Sequence, residues 1–179
     1  MRTNALFLLF PVIVLVCAAT LCGEPAAKLA NLGPELQQVL QRDAVCSQKS
    51  PAPELPVVTQ PIMVSGREAG VIAEPQDQCY CHKENCSTFV YLKKGENYNL
   101  ALADNFASLR PMKVTMHGLP SLSGKYQVDE FREETTVFDW TGQQYQPSLC
   151  ATVTRRPNQR TPSIVKHQCK ATVRSLPRQ

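Results

Sequence analysis

The hydrophobic pattern of this chain changes period along its length. Residues Ala5 to Cys22, "ALFLLFPVIVLVCAATLC", form an almost unbroken apolar run behind a single positive charge at Arg2. Further on, "NLGPELQQVLQRDAVC" sets Leu36, Val39 and Leu40 at helical spacing, with Asn31 placed to cap and Pro34 in the first turn. This predicts one short amphipathic helix. The next stretch, "SQKSPAPELPVVTQP", carries Pro51, Pro53, Pro56 and Pro61. That density excludes a helix and predicts an extended tether or an edge strand.

From Pro56 onward the period is two. In "NYNLALADN" the alternation puts Tyr98, Leu100 and Leu102 on one face; in "MKVTMHG" it puts Met112, Val114 and Met116 on one face and Lys113, Thr115 and His117 on the other. Half-buried strands follow from both. Residues 87 to 103 read as a hairpin turning at Lys94-Gly95-Glu96-Asn97. Further strands are predicted in "LPSLSGKYQVDEF", "TVFDWTGQQY", "SLCATVTRR" and "SIVKHQCKATVR". Short strands at this spacing, without intervening helical pattern, define a mainly β fold: an antiparallel sandwich or a small barrel compatible with an OB-like arrangement, preceded by the helix. No internal repeat is visible.

The apolar run at the N-terminus adds an address. Broken by Pro11 and followed at once by polar "GEP", it fits a cleaved signal peptide better than a membrane-spanning helix. Leu21 before Cys22 is too bulky for the usual lipoprotein pattern. The expected organisation is a signal peptide over 1–23, a helix and Pro-rich tether over 24–55, and a disulfide-stapled β domain over 56–179, secreted or periplasmic. Roughly 155 residues then remain, enough for a modest core.

Removing the leader also removes Cys17 and Cys22 and leaves six cysteines: Cys46, Cys79, Cys81, Cys86, Cys150 and Cys169. In an exported chain an even set is read as a disulfide framework, with 15 pairings open. Cys79 and Cys81 are too far apart along a strand to pair easily, so each is expected to reach a different part of the chain. Cys46 is placed to pin the helix. Cys150 and Cys169 are expected inside strands, either joining neighbours or reaching back to the 79 to 86 cluster; either way the cluster is expected to act as a hub that ties the start of the sheet to its end. The alternative use of "CYCHKENC" is a metal site of Cys79, Cys81, His82 and Cys86, which zinc or Cu(I) would accept chemically. Against it, the stretch has one C-x-C and no second knuckle. "NCS" at Asn85 matches the N-glycosylation acceptor pattern.

Charge narrows the function classes further. Of 19 Lys plus Arg only Arg2 falls in the leader, leaving 18 against 15 Asp plus Glu. The balance is uneven, because from Ala151 onward there are seven basic residues and no acid. On a strand, Lys166, Lys170 and Arg174 would form one row, either a footprint for an anionic polymer or acidic protein or a guard against edge pairing. Few aromatics interleave with it, which speaks against nucleic acid. No later segment is apolar enough for stable membrane insertion.

Catalytic candidates are sparse. "DEFREE" supplies Asp129, Glu130, Glu133 and Glu134, a carboxylate cluster better suited to a solvated turn than to a glycosidase pair. His82, His117 and His167 stand outside any G-x-S-x-G or H-E-x-x-H motif. Trp140, with Phe138 and Tyr145, is either half-core or a sugar- or peptide-binding face. The expected function is therefore binding, as an inhibitor or an envelope or extracellular recognition protein, without a cofactor. The alternatives are a small secreted hydrolase using His117 or His167, or the metal-binding protein.

Overall fold

A computed structural model describes residues 26–46, 51–157 and 160–169. The expected leader over 1–23, with Cys17 and Cys22, lies outside the described residues, as do Lys170, Arg174 and the last part of the strand expected up to Arg174.

The helix, α1, spans Pro34–Asp43 and buries Leu36, Val39 and Leu40, the three residues at helical spacing. Pro34 occupies the first turn, where its missing N–H costs nothing. The cap differs from expectation: Gly33 takes that position without a side-chain bond, because Asn31 closes a preceding 3-10 turn, Leu29–Asn31.

Two antiparallel sheets follow. The first contains β1 (Ala27–Lys28), β2 (Pro56–Val64), β3 (Arg67–Pro75), β4 (Cys81–His82), β5 (Asn85–Lys94) and β6 (Asn97–Phe106). Its order is β1-β2-β3-β5, with β4 and β6 also paired to β5. The second is a meander of β7 (Ser108–Met116), β8 (Leu119–Gln127), β9 (Arg132–Trp140), β10 (Tyr145–Thr154) and β11 (Ser163–His167). Only Ala107 separates β6 from β7, so the chain changes sheets there, with the Ala107 N–H bonded to the Lys125 carbonyl at 2.7 Å. The two sheets keep separate strand orders and do not close. The result is a sandwich and not the small OB-like barrel.

Two clusters of buried residues show why the first sheet needs two covers. Val71, Ala73, Phe89 and Tyr91 pack with α1, Leu29 and Leu55 on one face. Ile72 and Val90, their neighbours in sequence, pack with Leu109, Leu122, Phe138 and Tyr145 of the second sheet on the other. The layers therefore run helix, sheet, sheet. Between the sheets Phe106 meets Phe138 edge-on at 5.6 Å. Gly124 makes that approach possible, since a Cβ there would lie 2.6 Å from the Phe106 ring.

Several strand expectations shift in physically readable ways. The β5–β6 hairpin turns at Gly95, whose φ of 65° suits the first position of a two-residue turn. In β6, however, the register slips between Val90–Leu102 and Tyr91–Leu100. This bulge at Ala101 reverses the side-chain phase. Tyr98 and Leu100 pack on the helix side, but Leu102 packs between the sheets, not on their face. In β7 the pairing jumps from Pro111–Leu122 to Thr115–Pro120, and the face expected to be half-buried opens to solvent, with Val114 57% and Met116 40% exposed. His117 leaves the strand altogether; it occupies the β7–β8 turn at φ 49°.

Buried tyrosines make the core sensitive to alkali. The Tyr145 hydroxyl donates to the Pro120 carbonyl at 3.0 Å, and burial pushes its pKa up to about 12. Burial, reinforced by the bond Tyr98 donates to Glu68, pushes Tyr98 up to about 12 as well. Both values exceed that of the unfolded chain, near 10. The stability they contribute is thus complete below pH ~10 and is lost as pH rises through ~12. We expect tyrosinate absorbance and loss of β circular dichroism to rise together in that window. Ionisation of all tyrosines near pH 10 with the fold intact would contradict the assignment.

Candidate functional site

The segment "CYCHKENC" is where the chain's chemistry concentrates, and the structure spends it on attachment. Cys79 is bonded to Cys46, three residues beyond α1. Beside it, the Tyr80 hydroxyl donates to the Ala44 carbonyl at 2.8 Å from a buried position. Covalent bond and hydrogen bond together hold the C-terminal end of the helix. Cys81 and Cys86 sit directly opposite each other on β4 and β5 and are bonded, with S–S 2.08 Å. Cys79 and Cys81 therefore do reach different partners.

Asn85 faces the other layer. Only 3% exposed, it donates from Nδ2 to the Gln127 carbonyl and accepts through Oδ1 from the Gln127 N–H, both at 2.8 Å. One side chain thus satisfies both backbone groups of a residue at the end of β8, in the second sheet. A glycan would replace one hydrogen on Nδ2 and has no room at this buried position, where the carboxamide is engaged in the clamp.

Cys150 and Cys169 are bonded to each other, S–S 2.19 Å. The cluster therefore does not reach the C-terminal part of the sheet through a disulfide, as one arrangement of the sequence allowed. Cys169 also lies two residues beyond β11, not inside a strand. The three sulfurs a metal site would need, those of Cys79, Cys81 and Cys86, are all consumed in disulfides and are not thiolate ligands. Among the described residues no group of three or more His, Cys, Asp or Glu is arranged to hold a metal ion.

The remaining candidates are dispersed. His167 contacts the Thr152 hydroxyl and the Gln168 carbonyl, both at 3.2 Å. His117 sits at an exposed turn. Asp129 builds the β8–β9 turn: its carboxylate accepts from the N–H groups of Phe131 and Arg132, each at 2.9 Å, and pairs with the Arg132 guanidinium. Those bonds hold its pKa below the usual carboxylate value. Glu133 and Glu134 are consecutive on β9 and so face opposite sides of the sheet. They cannot act as one acid–base pair. Trp140 packs against the inter-sheet core and meets the Tyr145 ring at 5.2 Å in a tilted arrangement, which makes it half-core.

What the structure does gather is charge. Lys166 lies on β11, while Arg155, Arg156 and Arg160 lie on the β10–β11 connection; all four are exposed. Among the described residues none of them has an ion-pair partner. No family model matches this chain, no curated protein matches it, and no solved structure matches its fold.

Two outcomes test this site. Asn85→Ala leaves the Gln127 N–H and carbonyl without partners in a nearly water-free position. We expect a loss of ~2–4 kcal/mol in urea unfolding, from two orphaned groups at ~1–3 kcal/mol each, partly relieved by water; a loss under ~0.5 kcal/mol would mean the clamp is dispensable. Removing the disulfides singly as Cys→Ser pairs should follow loop length, since their sequence separations are 33, 19 and 5. Chain-entropy arithmetic places the costs at ~4, ~3 and ~2 kcal/mol for Cys46–Cys79, Cys150–Cys169 and Cys81–Cys86.

Proposed function

We propose that this protein is exported and works by binding an anionic partner, a polymer or an acidic protein, through the basic end of its second sheet. The observation that carries the reading is the unpartnered charge. From Ala151 onward every ionised side chain is cationic, and the four described cations there are solvent-exposed. Such a one-sign surface creates a field that steers and retains polyanions. Export fits the three disulfides, which form and persist in oxidising compartments. No helix among the described residues is long and apolar enough to cross a membrane.

Binding is favoured over catalysis by where the reactive groups went. The cysteines are oxidised, Asp129 is engaged in its turn, and the glutamates of β9 are divided between two faces. Neither His117 nor His167 contacts a carboxylate among the described residues.

The test neutralises Lys166, Lys170 and Arg174 together, as Gln, and measures binding to heparin and to an acidic polypeptide at two ionic strengths. Three cations at ~0.2–1 kcal/mol each should weaken affinity about three- to a hundredfold, and less so at high salt. Thermal unfolding is measured alongside, and at Lys166, an exposed position, no loss of stability is expected. Unaltered retention on heparin would remove the proposal.

A further inference from the structure

The strand that carries Lys166 contributes nothing to the core, yet it is covalently held in place. All five residues of β11 are exposed, including Ile164 at 60% and Val165 at 58%. A terminal strand that buries no side chain frays readily. The Cys150–Cys169 bond prevents this by fastening the far end of β11 to β10.

Other edges in the molecule are blunted. The outer edge of β2 contains Pro56 and Pro61 and a register shift at Ile62/Met63. β6 is interrupted by its bulge, and β7 by the jump between Pro111 and Thr115. These are the usual defences against unwanted strand pairing. Among the described edge strands of several residues, β11 alone has neither proline nor a register break; its one guard is Lys166, a charge that repels a like strand and attracts an acidic one. Its five pairs with β10, from Cys150–His167 to Thr154–Ser163, run in unbroken register, and no proline falls within it. Beyond it lies a row of backbone donors and acceptors that no described strand uses.

We infer that β11 is a docking edge which receives an extended acidic segment of a partner protein as a sixth strand of the second sheet. This rests on the reading of the basic end as the binding face and adds how the partner is held. Backbone bonds along the edge supply affinity, and alternate side chains supply selectivity. One face of β11 presents Ile164 and Lys166; the other presents Ser163, Val165 and His167. A segment alternating carboxylates with apolar residues matches this. Its acids align with Lys166 on one face, and its apolar side chains lie against Val165 on the other. A second copy of the chain is a poorer occupant. Pairing β11 with itself would bring together two copies of the acid-free region that begins at Ala151.

The test uses the intact oxidised protein and two labelled eight-residue peptides. One alternates glutamate with valine; the other has equal charge, with its valines replaced by proline so that it cannot form a strand. Heparin retention is measured in parallel. We expect saturable binding of the first peptide, at least tenfold weaker binding of the second, and slowed amide exchange at alternate residues of 163–167 on binding. Lys166→Glu should weaken the first peptide about tenfold with thermal unfolding unchanged. Equal binding of the two peptides would overturn strand addition and leave anionic binding standing. So would heparin retention without any peptide binding. Failure of both ligands would overturn the binding reading itself. A monodisperse dimer whose 163–167 amides are already protected without peptide would assign the edge to a second copy and overturn the inference.

Discussion

A sheet apolar on both faces is the constraint from which the rest of this structure follows. Val71, Ala73, Phe89 and Tyr91 point one way, and Ile72 and Val90, between them in sequence, point the other. Each large side chain of this kind gains about 1.5–3 kcal/mol by leaving water. Neither face can be left open, so two covers are needed. The ten-residue helix is one and the five-stranded meander is the other. A helix of three turns is marginal by itself. It holds its position because Leu36, Val39 and Leu40 lock onto the sheet and because its end is tied down.

Residues 79 to 86 reconcile the two covers. This short segment holds the helix layer through Cys79 and Tyr80, closes its own hairpin through Cys81 and Cys86, and holds the second sheet through Asn85. The three fastenings differ in kind because their surroundings differ. On the helix side the crossing is a long chain loop, where a covalent link restricts the unfolded state most. At the inter-sheet seam a strand end presents one N–H and one carbonyl, and a carboxamide is the side chain that answers both. A metal would have unified these residues around one point; the fold instead distributes them across three layers.

Local features were legible in the sequence and phase was not. The helix announced itself through Leu36, Val39 and Leu40, and the β5–β6 turn through Gly95, since both depend on residues close along the chain. Leu102 shows the opposite case. Alternation put it with Leu100, but one extra residue at Ala101 sent it to the other face, and nothing in "NLALADN" marks that bulge. Residues Thr88 to Tyr91 are all buried, a run that reads equally as a two-faced strand or a buried helix segment. Even cysteine number implied a framework, but pairing is a matter of tertiary distance. Asn85 was visible only as a glycosylation motif; its clamp depends on Gln127, 42 residues away. The basic tail was legible as composition, whereas the unbroken pairing of β11 with β10 needed the register.

The second sheet also extends beyond the core it helps to form. Leu122, Phe138 and Tyr145 are buried against the first sheet, and β10 still buries Cys150 and Ala151, whereas β11 beside them buries nothing. Stability alone gives no reason to build those last positions, because an exposed strand costs backbone entropy without returning apolar burial. Nor does it explain spending a disulfide there. Loop length credits the Cys150–Cys169 bond with constraining the unfolded chain, but a shorter bridge placed nearer the core would do similar work, given that this entropy grows only slowly with length. The bond's location fits what it fixes in the folded state: an edge in unbroken register with β10, beside cations that have no ion-pair partner among the described residues. Core and edge thus answer different demands in one sheet. The buried end holds the molecule together; under the inference drawn above, the stapled end would keep the docking edge in order before a partner arrives, lowering the entropy that docking must overcome.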